Sequence, residues 1–497
     1  MRANYQVNVT PQFRVLSDDQ IEEVYAAALE VLERVGMRVL HPEGLALLRQ
    51  AGCQVSEDHA STGPAQALVR IPAWLVQEAL STTPGRIVVA GRDRRRRLYL
   101  EKNRFYFGTG SDCPWLVDPH TDQVRKYTFD DVYHAACLSD ALPHIDFHMS
   151  LGLTSGVLPQ TYDRPQLLAM MRGTSKPLVI TAVDGEGLAD QYHMACEVLG
   201  GAEEFARLPL FIVYIEPSSP LTHSFEAVDK LLFAADHGIP AIYTPCIIAG
   251  GTGPVTMAGA MAQGIAECLV GVVLAQLRRR GAGVIIGGVH SPLDMSTSIL
   301  SYGAPELALL SAGLTDVARW LGLPVFSTAG CSDSKTLDQQ AAIEATLSIV
   351  VAALSGANLI HDVGYLESGL LGSFDMLVMA DEVIGMAKRI VSGITVTPET
   401  LAVEVIEKVG PGGHYLTQEH TRRHFRTELW LPTLMDRQMR RAWEAAGRQT
   451  MAERVRARVL DLLNTHHPLP IPADVEARLQ EIVAQAEARH KGDREKG

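Results

Sequence analysis

Residues Val325–Val363, VFSTAGCSDSKTLDQQAAIEATLSIVVAALSGANLIHDV, hold the pattern that decides the fold. A short apolar run, Val325–Ala329, gives way to a small polar turn. Gln339–Leu354 then repeats apolar residues at helical spacing, and Leu359–Val363 is a second short apolar run. Strand, turn, helix and strand in about 40 residues make one unit of an α/β fold. Reading outward, eight such runs recur: Phe105–Gly108, Phe147–Leu151, Leu178–Ala182, Leu210–Ile215, Ala241–Pro245, Val284–Val289, Val325–Ala329 and Leu359–Val363. Helical patterns stand between them, among others Phe129–Leu138, Leu188–Leu199, Phe225–His237, Met257–Arg279, Pro305–Leu321 and Gln339–Leu354, and Phe374–Ile390 follows the last. Eight strand–helix units spaced by roughly 30 to 45 residues match the repeat of a (β/α)8 TIM barrel. A doubly wound open sheet seldom needs eight units and would carry a Gly-rich turn after its first strand, so the barrel is the expected architecture.

The barrel is expected over residues 101–396. Before it, residues 1–100 read as a helical N-terminal region, opened by a helix that Ser17-Asp18-Asp19-Gln20 caps. After it, residues 397–497 read as a helical cap or oligomerisation region, broken by the Pro-rich stretch 467–472. The chain of 497 residues is 47% hydrophobic with a formal net charge of −13, the balance of a soluble globular protein that selects neither nucleic acid nor an anionic membrane. One basic cluster, Arg92–Leu98 (RDRRRRL), reads as a solvated loop or a subunit contact. Seven scattered cysteines without a C-x-x-C spacing point to reduced thiols. With no apolar leader in MRANYQVNVTPQFRVLS and no run of roughly 18 uninterrupted apolar residues, a cytoplasmic location is expected.

In such a barrel the chemistry sits at the C-terminal ends of the strands. Here those ends carry Gly108-Thr109-Gly110-Ser111-Asp112, Glu216-Pro217, Tyr243-Thr244-Pro245, His290-Ser291-Pro292, Gly330 to Lys335, and His361 to Tyr365. One lysine and no arginine among them argue against a sugar phosphate. Three readings of these groups remain open. Lys335 with Cys331 could serve a Schiff-base lyase or aldolase. His361, Asp362 and His290 with Glu216 or Asp112 could hold a metal, although no HxH or H-x-x-x-H spacing supports it. The rings of Tyr214, Tyr243, Tyr302, Phe326 and Tyr365 could surround a quaternary ammonium. Gly250-Gly251-Thr252-Gly253, ahead of a helix N-terminus, could offer free amides to an anion.

The strand-end segments taken together resemble the trimethylamine methyltransferase superfamily. The resemblance runs through IEEVYAAALEVLERVGMRV, GTGSDCPWLVDPHT, GGTGPVTMAGAMAQGIAE, SYGAPELALLSAGLTDVARWLGLPVFSTAGCSDSK, GANLIHDVGYLESGLLGSFDMLVMADEV and HYLTQEHTRRHFRTELWLP, nearly the full length. It implies a corrinoid-dependent methyltransferase that moves a methyl group from a small quaternary amine, such as glycine betaine, to Co(I) of a cognate corrinoid protein. The corrinoid would travel on that partner, with none bound tightly by this chain, and the enzyme would be a homo-oligomer. The archaeal trimethylamine enzymes carry pyrrolysine near the segment matching GCSDSK, with Cys331 as its counterpart, whereas this chain has only standard residues. A quaternary nitrogen already has a neutral tertiary amine as leaving group, so no general acid is required. On this reading His361 and Asp362 are catalytic. Tyr243, Phe326, Tyr365, Glu216 and Cys331 surround the substrate, and the Gly250–Gly253 loop holds its carboxylate. A non-catalytic betaine- or corrinoid-binding barrel is the alternative from another functional class.

Overall fold

The computed structural model describes residues 8–58, 66–156 and 158–494. The first seven residues of the N-terminal stretch MRANYQVNVTPQFRVLS therefore lie outside the described residues. Eight parallel strands, labelled β1 to β8 in chain order, form the centre: Tyr106–Gly108, Ile145–Phe147, Leu178–Ile180, Phe211–Ile215, Ala241–Tyr243, Val284–Gly287, Val325–Thr328 and Leu359–His361. They pair in the order β3-β4-β5-β6-β7-β8-β1-β2. The circle closes between β2 and β3 through a parallel bridge from His148 to Leu178. The open-sheet alternative is thereby excluded, and the expected (β/α)8 barrel stands. Seven of the eight expected runs hold a strand, each somewhat shorter than its apolar run, whereas the second strand, Ile145–Phe147, ends at the first residue of its expected run Phe147–Leu151. One barrel helix without a strong periodic signal, Asp163–Gly173, fills the interval between β2 and β3.

Strand parity divides the core. Phe147, Val179, Ile212, Tyr214, Ile242, Ile285, Phe326 and Leu359 point into the lumen, and their neighbours Phe211, Val213, Ala241, Tyr243, Val284, Ile286 and Val325 pack under the helices. The lumen is closed at its N-terminal end by a hairpin, Ile87–Ala90 paired with Arg97–Leu100, whose Ile87, Val89, Leu98 and Leu100 join the luminal cluster. The basic cluster forms the turn of this plug and is only in part a solvated loop. Arg92 donates to Thr174 O at 2.9 Å, Arg94 to Glu204 O at 2.9 Å and Arg96 to Asp140 Oδ1 at 2.8 Å, so the guanidinium groups tie the plug to the barrel.

The N-terminal region is not purely helical. Besides Asp18–Glu30, Pro42–Gln50 and Ala73–Thr82 it contains the strands Met37–Val39, Gln54–Asp58 and Gln66–Arg70, which form a small sheet with Thr222–His223, and both strands of the plug. Those strands are short and mixed in polarity, which hides them among helical periodicities. The C-terminal region is helical, as expected. Met451–Thr465 is clamped to the barrel by Arg456, which donates from Nε to both oxygens of Asp375 at 3.0 and 2.8 Å. Ala473–Arg494 lies against Gly185–Leu199, where Arg489 pairs with Glu186 at 2.7 Å. The helix Met257–Arg278 is long and apolar enough to cross a membrane, yet 78% of its apolar window is buried inside the fold, where it packs beneath the barrel and its neighbouring helices. All seven cysteines are unpaired thiols.

Candidate active site

At the C-terminal face of the barrel, three carboxyl groups converge. Asp112 follows β1, Glu216 follows β4 and Asp362 follows β8. Asp112 and Glu216 are open to water although protein surrounds them, so they line an internal cavity. Asp362 is 1% exposed, its backbone is left-handed at φ 72°, and neither carboxylate oxygen accepts a hydrogen bond. A non-glycine residue held in that conformation with unsatisfied buried oxygens is costly, and such cost accumulates at functional sites.

The three groups disturb one another. Burial, then the proximity of Asp112 and Glu216, pushes the Asp362 carboxyl well above the usual carboxylate range. Glu216 is pushed up to about 7, first by burial and further by Asp112, while the Tyr214 hydroxyl donating to Oε2 at 2.7 Å opposes the rise. Burial also raises Asp112, against the donation from Ser111 Oγ to Oδ1 at 2.6 Å. Among the described residues no lysine or arginine forms an ion pair with any of the three. Lys230 bears on Glu216, but its Nζ donates to Ala182 O at 2.8 Å.

His361 completes the inner wall. Its Nδ1 lies 2.8 Å from Ser327 O and donates there, which leaves a lone pair on Nε2, 3.2 Å from Asp362 Oδ1. Burial lowers its pKa to about 4, so the ring is neutral at pH 7. A neutral imidazole acceptor facing a carboxyl that stays protonated is a consistent pair, with the Asp362 proton directed at Nε2.

Several expectations need correction. Tyr243 does not enter the site. Its luminal neighbour is Ile242, so the Tyr243 ring points outward, against Gly271, and its hydroxyl meets His223 Nδ1 at 2.7 Å. Phe326 is luminal but fully buried, packed at a tilt against His361 with ring centroids 4.0 Å apart, and supports the wall from beneath. Tyr365, 1% exposed, accepts the Asp112 N–H at 2.7 Å and so positions that carboxylate without facing the cavity. Cys331 is fully buried, its Sγ turned to Tyr302 O at 3.8 Å and its thiol pushed up by burial, so it neither lines the cavity nor acts as a nucleophile. The amides of the glycine loop are consumed within it. Gly251, Thr252 and Gly253 donate to Ile248 O and Gly250 donates to Gly253 O, which leaves none to hold an anion. Lys335 is exposed and donates to Asp333 O at 2.8 Å, outside any apolar pocket, which removes the Schiff-base reading. His290 packs against Gly264, and among the described residues no three potential ligands converge on a metal position.

The structure brings forward other residues. Tyr162, Tyr214 and Tyr302 all lie within electrostatic reach of Asp112. Tyr162 and Tyr302 keep part of their surface open, and Cys246, also partly open, feels all three carboxyl groups. Tyr162 precedes the one barrel helix that periodicity missed, so only its place in a strand-end loop could have marked it. The first turn after β1 is built around this constellation. A Cβ on Gly110 would stand 2.1 Å from Tyr365 Oη and 2.2 Å from Asp362 Oδ1, so only glycine lets that backbone pass between them.

Comparison with known proteins agrees with the length of the resemblance. The trimethylamine methyltransferase (MTTB) family model matches residues 1–490. The trimethylamine methyltransferase MttB of Desulfitobacterium hafniense is 32% identical over 471 residues, 95% of this chain and 93% of the relative. The MttB of Methanosarcina barkeri is 33% identical over 490 residues, 97% of each. A glycine betaine methyltransferase of Desulfitobacterium hafniense strain Y51 is 28% identical over 483 residues, 96% of this chain and 97% of the relative. Matched along almost its entire length by the family model and by relatives above 30% identity, the chain belongs to the trimethylamine methyltransferase (MTTB) family.

Proposed function

We propose that this methyltransferase transfers a methyl group from a small quaternary ammonium compound to Co(I) of a corrinoid carried by a separate cytoplasmic protein. The observation that carries the reading is the convergence at the barrel mouth of three carboxyl groups and three tyrosine rings, with no lysine or arginine ion-paired to the acids among the described residues. Rings and acids without a counter-cation make a receptor for a desolvated organic cation.

When docked, the corrinoid would supply the nucleophile, a reduced cobalt that accepts the methyl group. This chain's residues position the cation and exclude water. The C–N bond breaks with its electron pair left on nitrogen, and a neutral tertiary amine departs without needing a proton. Two of the site's protons are accordingly spent within it, that of Asp362 on His361 Nε2 and the Tyr214 hydroxyl on Glu216. Docking of a protein at the mouth is supported by exposed apolar side chains on the segments that leave β5 and β6. Val255 is 64%, Met295 62% and Ile299 54% exposed. The test is methylation of Co(I)-cobalamin over a panel of methylated amines, read by loss of the Co(I) absorbance. Turnover with at least one quaternary amine is expected, and none with any of them refutes the reading.

A further inference from the structure

Resting on that reading, we infer that the cavity selects organic monocations without a carboxylate, tetramethylammonium and choline being simple cases, over zwitterionic betaines. A betaine would bring its own carboxylate within reach of Asp112, Glu216 and Asp362. An anion buried there needs either an opposite charge or hydrogen-bond donors to replace water.

Three donors beside the carboxyl groups are already engaged, and the Tyr162 and Tyr302 phenols that remain carry no charge. The Tyr214 hydroxyl is donated to Glu216 at 2.7 Å, and the Ser111 hydroxyl to Asp112 at 2.6 Å. Lys230 is held on Ala182 O at 2.8 Å. The glycine loop, which the sequence offers as the natural carboxylate cradle, closes its amides on Ile248 O and Gly253 O. Asp362 adds an independent sign of a ligand, since its buried Oδ2 has no partner even with Oδ1 facing His361 Nε2 at 3.2 Å. The polarised C–H groups of an ammonium would satisfy that lone pair, whereas a second carboxylate would bring only further acceptors to it. Discrimination thus comes from a repulsive element as much as from an attractive one. The bound nitrogen carries the same charge in choline and in glycine betaine, so the difference in affinity reports the carboxymethyl end against a neutral hydroxyethyl end, with tetramethylammonium as the reference that has neither.

Isothermal titration of the full-length protein with tetramethylammonium, choline and glycine betaine, at about pH 8 where Glu216 is largely ionised, tests this. The two monocations should bind at least roughly tenfold more tightly than glycine betaine. In Asp112→Asn and Glu216→Gln, with folding checked by circular dichroism, monocation affinity should fall and the gap to betaine should narrow. Glycine betaine binding as tightly as choline, or more tightly, overturns the inference whatever the variants do, as does failure of both monocations to bind. Methyl transfer run in parallel separates the two levels. If the affinity order holds but no Co(I) is consumed, methyl transfer fails and the selectivity stands. If betaine binds better and is demethylated, methyl transfer stands and the selectivity fails.

Discussion

Tyr214→Phe removes one hydroxyl from the candidate site and leaves the ring, so it separates charge tuning from ring contact. The hydroxyl donates to Glu216 Oε2 at 2.7 Å and favours the ionised carboxylate, holding down a group that burial pushes up to about 7. Hydrogen bonds to charged groups contribute about 1.5–3 kcal/mol in buried surroundings. Because Glu216 is solvent-accessible, a value at or just below the low end applies, about 1.4 kcal/mol or one pKa unit. In the variant Glu216 then titrates near 8. At pH 7 its ionised fraction drops from about a half to about a tenth, and affinity for a permanent cation should fall roughly fivefold. The sign follows from linkage: a cation binds the ionised form better, so affinity rises with pH through the Glu216 transition, and the variant moves that rise upward by about one unit. Titration calorimetry with tetramethylammonium from about pH 6 to 9 reads both curves. Superimposable curves, or a uniform loss at every pH, would refute the role given to this hydroxyl.

Three further outcomes are expected. Gly110→Ala places a methyl group 2.1 Å from Tyr365 Oη, which should cost about 1–3 kcal/mol of stability and abolish cation binding by displacing Asp112; thermal unfolding and calorimetry together check it. Tyr243→Phe leaves the buried His223 Nδ1 without its partner and should lower stability by about 1–3 kcal/mol while leaving ligand affinity unchanged, so weakened binding would contradict the outward orientation of this ring. Lys335→Ala should leave methyl transfer unaltered, and borohydride with a carbonyl compound should trap no adduct on the wild-type protein; a trapped adduct would restore the lyase reading.

The eight strands and most of the barrel helices were legible in the sequence, because alternating strand and helix periodicities depend on local spacing. Helices such as Phe225–His237 agree to the residue at both ends. Glu216, His361 and Asp362 were legible for a related reason: a barrel puts the residues after each strand at one face, so position along the chain already assigns them to the mouth. Which way each side chain points was not legible. Strands such as Phe211–Ile215 are buried on both faces, so their sequence is apolar throughout and carries no mark of parity. Tyr214 and Tyr243 look alike in the sequence, yet one faces the lumen and the other the helix layer, and only strand pairing around the closed barrel separates them. The same limit applies to the glycine loop. Its composition offers free amides, and only the tertiary turn onto Ile248 shows them spent. Sequence by itself determined the barrel and the ring of residues at its mouth, since both follow from order along the chain. The tertiary structure alone decided that three carboxyl groups converge with no lysine or arginine ion-paired to them among the described residues, because that juxtaposition joins residues up to 250 positions apart, from Asp112 to Asp362, across a closed surface.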